Sequence, residues 1–349
     1  MISIGIIGMG QRGRATLERL GDIPEANVVC LCDKGRCREG LPTDIPFLQD
    51  WRAAIALTQV ELLYVCTPWD CHAEIAVEAM RAGKHVALEV PAATTVADCE
   101  LLVRTSLHTG RHCIMLENCC YDTWHLGVRE MVRQGMLGEV VRLEGAYIHT
   151  VGHDWMIGLR RKMQGNPYPT HGLAPMCQLL RDDDRMEYLI SMDAQHHATG
   201  DNLNDTLIHT RRGVTMLLQY DTSTPRPYNR LQTVCGTKGF VQKYPTPFVQ
   251  LEAPADGSSA SALQLSGQEA EQFVEDHISL EFKTLISEGR ARGVKNVMNY
   301  IMDRRLLSAL QSGSTPDTTV HEAALWSCFV ELTQRSALRE GAKVSIPHF

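Results

Sequence analysis

Ile2-Ser3-Ile4-Gly5-Ile6-Ile7-Gly8-Met9-Gly10-Gln11-Arg12-Gly13 is the stretch that decides the fold. Its isoleucine-rich half reads as a strand buried on both faces of a parallel sheet. Its glycine-rich half is G-x-G-x-x-G, and Ala15–Leu20 behind it reads as helix. In that motif the first glycine permits a tight turn and the second lets a pyrophosphate approach the backbone. The third lets helix and strand pack closely. The helix N-terminus then offers N–H groups and a partial positive charge to the phosphates. Alone the motif is a weak signal. Its context strengthens it, because a second strand, Val28–Cys32, ends at Asp33. A carboxylate there accepts hydrogen bonds from a ribose 2′-OH and repels a 2′-phosphate, which favours NAD over NADP, with Lys34 softening the preference.

The alternation continues outward. Glu61–Cys66 reads as a strand leading into Thr67-Pro68-Trp69, and His72–Ala82 as a helix closed by Gly83. His85–Leu88 is a strand running into Glu89-Val90-Pro91-Ala92; Ala97–His108 is a helix stopped by Gly110, and His112–Leu116 a further strand. Strands separated by helices of this length imply right-handed crossovers and a parallel sheet, with ligands beyond the C-terminal strand ends. Gly8, Gly10, Gly13, Asp33, Thr67 through His72, Glu89, Glu117 and Asn118 all fall at such ends.

After Asn118 the pattern changes. Helix is expected at Leu126–Gln134 and Leu173–Leu180, and strands at Val140–His149, Tyr188–Ala194, Thr206–Thr210, Val214–Tyr220 and Leu231–Cys235. With few helices between them, an open and mainly antiparallel sheet is the economical arrangement. Ala253–Ser266 reads as a loop, and the tail as helices over Gln268–Ser287, Asn296–Ala309 and Thr319–Arg339. The expected fold class is α/β: an N-terminal Rossmann domain over residues 1–121, then an α+β substrate domain with a helical tail over 122–349. The reactive end of a dinucleotide then belongs at the junction of the two.

Composition limits the partners. The 349 residues carry 34 basic and 41 acidic side chains, a net charge of −7, which disfavours a general nucleic-acid binder. No apolar run approaches the ~20 residues that cross a bilayer, so no membrane partner is expected. Twelve cysteines without a C-x-x-C pair read as reduced, mostly buried thiols rather than a zinc or thioredoxin-type site. With strand-like residues starting at Ile2 and no leader, a cytoplasmic location is expected.

Four local groupings carry candidate chemistry. Asn166-Pro167-Tyr168-Pro169-Thr170-His171-Gly172 sets a Tyr and a His between two prolines and a glycine, and a loop His is a natural proton carrier near neutral pH. The alternative is a His that caps the next helix. Thr224-Pro225-Arg226-Pro227-Tyr228 is either a rigid turn presenting a cation and a phenol or a plain strand connector. Tyr147-Ile148-His149 ends a strand, with a core Tyr as the bland alternative. Glu117-Asn118 either orients sugar hydroxyls or fixes an amide. His196-His197, Cys119-Cys120 and His153-Asp154 read as surface, packing and loop residues respectively, and no metal site is expected. No G-x-S-x-G elbow or H-E-x-x-H helix supports serine or zinc hydrolysis.

Over nearly its whole length the chain resembles the Gfo/Idh/MocA oxidoreductase superfamily. Within it, Gly8–Gly13, Glu89-Val90-Pro91, Leu116-Glu117-Asn118, the Tyr168-Pro169-Thr170-His171-Gly172 block and the Thr224–Tyr228 turn resemble the family 109 NAD-dependent glycosidases. Ordinary dehydrogenases of the superfamily carry Glu-Lys-Pro, whose Lys assists proton transfer; Val90 replaces it here. The resemblance implies redox-assisted hydrolysis. NAD+ takes hydride from sugar C3, a base removes the acidified C2 proton, the C1 group leaves, water adds, and the hydride returns. Such enzymes stand outside the two-carboxylate scheme. By motif, Gly8, Gly10, Gln11, Arg12, Gly13, Asp33, Thr67, Trp69, Asp70, Cys71, His72, Glu89, Val90 and Asn118 would bind NAD. Glu117, Tyr147, Tyr168, Pro169, Thr170, His171 and Tyr228 would bind substrate, a small glycoside or oligosaccharide. His171, Tyr168 and Tyr147 would share the catalytic proton transfers. The family's Trp-Arg pair ahead of the Tyr-Pro-Thr-His block is Trp155-Met156 here. Either Arg160 or Arg161 replaces that cation, or the sugar lacks the usual N-acetyl contact of an α-N-acetylgalactosaminide. A homo-oligomer, dimer or tetramer, is implied by resemblance only. The alternative is an NAD-dependent sugar dehydrogenase with net oxidation.

Overall fold

A computed structural model describes the chain except residues 36–37, 150–162, 197–200 and 254–260, and the side chains of 195, 196, 201 and 202. The expectations for His153, Asp154, Trp155, Met156, Arg160, Arg161 and the His196-His197 side chains lie outside the described residues. Two compact units emerge: Met1–Asn118 with Thr284–Cys328, and Cys119–Lys283 with Phe329–His348. The expected boundary after residue 121 put the whole tail in the second domain. Here a middle part of the tail belongs to the first unit instead, because its helices bury apolar faces there.

The first unit is a six-stranded, all-parallel sheet: β1 (Ile2–Ile7), β2 (Ala26–Cys32), β3 (Phe47–Leu48), β4 (Leu62–Val65), β5 (His85–Leu88) and β6 (Cys113–Met115). Its order, β3-β2-β1-β4-β5-β6, is doubly wound, with the switch point between β1 and β4. Helices α1 (Gln11–Leu20), α2 (Trp51–Ala56), α3 (His72–Arg81) and α4 (Val96–Thr109) connect the strands. Burial on both faces explains the unbroken apolar runs: Ile4, Ile6 and every residue of β4 are buried. Local signals set the ends of α4. The Thr95 hydroxyl accepts from the Asp98 N–H, and Gly110 closes the helix at φ 66°.

In the second unit, α5 (Thr123–Arg133) precedes β7 (Val140–Ile148), and α6 (Thr170–Cys177) precedes β8 (Met186–His196). Strands β9 (Asp201–Thr210), β10 (Thr215–Asp221), β11 (Asn229–Gly236), β12 (Gly239–Gln242), β13 (Phe248–Leu251) and β14 (Leu263–Ser266) follow. With β15 (Val344–Ser345) they form a nine-stranded sheet, β14-β13-β12-β11-β7-β10-β9-β8-β15. It is mainly antiparallel with one exception: β7 and β10 run parallel, Tyr147 opposite Tyr220. Part of the expected Ala253–Ser266 loop is β14, whose alternating Leu263 and Leu265 pair with β13.

The tail is more broken than its periodicity suggests. Gln268–Ser287 divides into α7 (Gly267–Asp276) and α8 (Leu280–Ala291), and α9 (Val297–Ser312) follows. Thr319–Arg339 divides into α10 (Val320–Ser327) and α11 (Phe329–Ala337). Among the described residues no helix is long and apolar enough to cross a membrane.

Candidate active site

In the Rossmann unit, Gly8 sits at φ 93°, where a side chain would be strained, and a Cβ there would lie 2.6 Å from the Cys66 carbonyl oxygen. A Cβ on Gly13 would lie 1.8 Å from the Gly8 oxygen, so helix and turn touch as the third glycine requires. Gly10 stands at the N-cap of α1 and no side chain caps that helix start, the end of a helix that favours an anion. Asp33 accepts from the Met9 N–H at 2.7 Å and from the Gly35 N–H at 3.0 Å, which fixes its carboxylate beside the turn. Thr67 Oγ1 is buried without a hydrogen-bond partner among the described residues. An orphaned hydroxyl, an uncapped helix start and a tethered carboxylate together fit a dinucleotide.

The remaining predicted cofactor residues fall into two groups. Gln11, Arg12 and Asp70 are exposed, and Cys71 is half-buried. Trp69, Val90 and His72 are buried. The two ring nitrogens of His72 lie 2.9 Å from the Pro91 carbonyl and 3.0 Å from that of Thr67. Burial pushes its pKa down, against both carbonyls. His72 is therefore a buried, neutral imidazole set between the two loops, its single N–H able to donate to one of the two carbonyls. Glu89 meets Arg12 at 3.6 Å and Arg19 at 3.5 Å, and the Asn118 side chain donates to Asn299 at 2.8 Å. Glu117 is buried.

The second unit gathers the Tyr and His residues. A Cβ on Gly145 would lie 2.3 Å from the Gly172 oxygen, and one on Gly172 would lie 2.7 Å from the Ala146 nitrogen. Two facing glycines thus let α6 rest directly on β7, which brings Tyr147 of the strand to His171 of the helix. Their ring centroids are 5.7 Å apart. Tyr168 lies 4.7 Å from Tyr147, and its hydroxyl is 3.3 Å from His171 Nε2. The loop before α6 is anchored on all sides. The Gly165 N–H donates to Asp193, the Asn166 N–H donates to Thr333 Oγ1 at 2.8 Å, and Asn166 Oδ1 accepts from the Tyr168 N–H at 3.0 Å. Pro169 caps the helix and Thr170 is buried.

His149 stacks on Tyr147 at 6.0 Å and meets Tyr228 edge-on at 5.2 Å. Asp221 organises the Tyr228 turn by accepting from the Ser223 and Thr224 N–H groups. Beyond it, β11 shifts register, and Leu231 and Gln232 take positive φ values of 57° and 53°. There the buried Arg230 pairs with Asp122, which also accepts from Lys243 at 2.7 Å. Burial raises the Asp122 carboxyl, but Arg230 and Lys243 outweigh it and hold it far below the usual range. Arg230 lies 5.9 Å from the Tyr228 ring. Burial of the phenol pushes Tyr228 up to about 12 against the pull of Arg230, although the residue as a whole is 45% exposed.

Sequence reasoning missed three members of this cluster. Tyr220 stacks on Tyr147 at 6.3 Å, a consequence of the parallel β7/β10 pairing. Tyr244 meets Tyr228 at 6.2 Å, and its one local signal is the proline behind it. Cys119, taken as packing, brings its sulfur within 4.8 Å of a His171 ring nitrogen.

Comparisons with known proteins match two stretches of the chain. Residues 2–116 match the oxidoreductase family with an NAD-binding Rossmann fold, and residues 193–349 match the C-terminal domain of glycosyl hydrolase 109. The chain is 41% identical to glycosyl hydrolase family 109 protein 2 of Phocaeicola vulgatus, covering 100% of this chain and 94% of that protein. It is 38% identical to an alpha-N-acetylgalactosaminidase of Bacteroides fragilis, covering 100% and 92% respectively. Among solved structures, levoglucosan dehydrogenase in complex with NADH and L-sorbose shares the fold at TM-score 0.78 and 16% identity, covering 100% of this chain and 99% of that one. Glycerol-bound aldose-aldose oxidoreductase from Caulobacter crescentus does so at TM-score 0.74 and 19% identity, covering 99% of each chain. The chain belongs to glycosyl hydrolase family 109, NAD-dependent hydrolases built on the Gfo/Idh/MocA oxidoreductase fold.

Proposed function

We propose that the chain cleaves small glycosides or oligosaccharides, α-N-acetylgalactosaminides among them, with His171, Tyr168 and Tyr147 moving the protons. The redox chemistry supplied by bound NAD+ is a hydride borrowed from a sugar carbon and later returned, so the net reaction is hydrolysis. Gly8, Gly10, Gln11, Arg12, Gly13, Asp33, Thr67, Glu89 and Asn118 are the residues proposed to hold it. What remains for the chain is acid–base work at three places: a ring hydroxyl, the carbon beside it and the departing group. The His171–Tyr168 hydrogen bond carries this reading, because imidazole and phenol 3.3 Å apart can pass a proton between them. Tyr147 stands within reach of both rings, and the half-exposed Tyr228 offers a protonated phenol to substrate hydroxyls. Glu117 is proposed to orient the sugar. Val90, in place of a Lys, removes a side-chain proton carrier from that position, which supports the reading against a simple dehydrogenase. The described cysteines are not joined in disulfides, which supports a reducing, cytoplasmic setting.

The test is a panel of nitrophenyl α- and β-glycosides with trace NAD+. Many turnovers per cofactor, no build-up of NADH, and deuterium at C2 of sugar released in D2O are the expected results. Full-rate cleavage by cofactor-stripped protein, or one NADH formed per substrate, would overturn the proposal.

A further inference from the structure

Helix α9 comes from the tail, yet it lies in the Rossmann unit, and its polar face is spent there. Asn299 and Asp303 are four residues apart and so share one side of the helix. Asn299 accepts from the Asn118 side chain at 2.8 Å. Asp303 is fully buried (0% exposed), accepts from Arg19 Nε at 2.8 Å, and accepts from the Tyr64 hydroxyl at 3.0 Å. Arg19 in turn reaches Glu89 at 3.5 Å, and Glu89 meets Arg12 of the glycine turn at 3.6 Å. Basic and acidic groups therefore alternate, Arg12, Glu89, Arg19, Asp303. Burial pushes the Asp303 carboxyl up, against the pull of Arg19 and the Tyr64 hydroxyl. Burial works against charge on Arg19, but the Asp303 and Glu89 carboxylates outweigh it and keep the guanidinium ionised.

We propose that α9 is a cofactor-positioning strap: Asn299 holds Asn118 directly, and Asp303 holds Glu89 through Arg19. This rests on the reading of Glu89 and Asn118 as NAD contacts. The physical reason is competition for one cation. Asp303 takes the Nε of Arg19 and Thr16 Oγ1 accepts from Nη1 at 3.0 Å, so Glu89 meets that same Nη1 only at the long distance of 3.5 Å. Glu89 then keeps acceptor capacity for ribose hydroxyls. Without the Asp303 charge, Arg19 closes on Glu89 and withdraws it from the cofactor.

Isothermal titration of the cofactor-stripped full chain with NAD+ tests the strap. Asp303→Asn is expected to raise the NAD dissociation constant ~10-fold, the size of one lost charge-assisted hydrogen bond. Asn299→Ala, at a less buried position that keeps the fold if Asp303→Asn does not, is expected to raise it ~3-fold. The loss should fall on NAD affinity rather than on turnover at saturating NAD+, a split that general loosening would not produce. In the Glu89→Gln background, Asp303→Asn should add nothing, because the residue it acts through is already neutral. Dissociation constants within twofold of the parent in folded Asn299→Ala and Asp303→Asn, or independent effects of Asp303→Asn and Glu89→Gln, would overturn the inference alone. A parent protein that bound no NAD+ would overturn the cofactor reading and the inference with it.

Discussion

His171 occupies the second position of α6, and its ring forms a compact triangle with those of Tyr168 and Tyr147. Tyr147 and His171 belong to different elements, so their meeting follows from packing rather than from either local sequence. Replacing His171 by Ala removes the imidazole without touching the Rossmann unit. NAD binding should persist while turnover falls on the order of 10²-fold or more, as measured by glycoside cleavage beside NAD titration. A different histidine is one of several that contribute to acid stability, beside His72, His85 and His112, whose pKa values burial also lowers. Burial pushes His125 down to about 4, while its Nε2–H donates to Gln178 Oε1 at 2.9 Å. The unfolded chain takes up this proton near pH 6.5 and the folded chain does not, so stability rises with pH between about 4 and 6.5. The His125 share of the loss on acidification through that window should be on the order of 3 kcal/mol, read as the difference between parent and His125→Gln in urea unfolding at pH 7 and pH 4.5. His125→Gln, which cannot titrate, should show a shallower slope over the same window.

At the scale of elements, the contact of α6 with β7 is what makes a cluster out of separate residues. Gly145 and Gly172 face each other with no room for a Cβ on either. Gly172→Ala would place a methyl group 2.7 Å from the Ala146 nitrogen and from Leu218 Cδ1, so helix and strand must part. Overpacking of this kind costs about 1–3 kcal/mol. A lowered Tm is expected together with a fall in turnover larger than the stability loss explains, because displacing His171 from Tyr147 disturbs the aligned groups. Unchanged turnover in the folded variant would show that the contact does not set the site. The β11 irregularity at Leu231 and Gln232 belongs to this scale too, since it lies directly after the buried Arg230 and the exposed Tyr228.

For the whole molecule, the division of labour runs between two units of different design. The all-parallel sheet presents strand ends and an uncapped helix start, and the mixed sheet presents phenols and imidazoles. A ligand that binds only the folded Rossmann unit stabilises the chain by mass action, roughly 2.7 kcal/mol at one hundred times its dissociation constant. NAD+ should therefore raise the Tm of stripped protein. NADP+ at equal concentration should raise it less, because its 2′-phosphate meets the Asp33 carboxylate. Equal shifts with both would remove Asp33 as the discriminating residue.

The sequence by itself determined five of the six Rossmann strands, all but the two-residue β3, because their signals are local: a glycine turn, an acid at the next strand end, and apolar runs whose period depends only on neighbouring residues. It also held the Tyr168–His171 pair, which three residues and two prolines bring together. The tertiary structure alone decided that β10 runs parallel to β7 and places Tyr220 against Tyr147. It alone decided that Cys119 sits by His171, and that α9 returns from the tail to the first unit. These facts depend on strand order and on which apolar faces find each other across fifty residues or more, and no periodicity within a segment encodes a partner that far away.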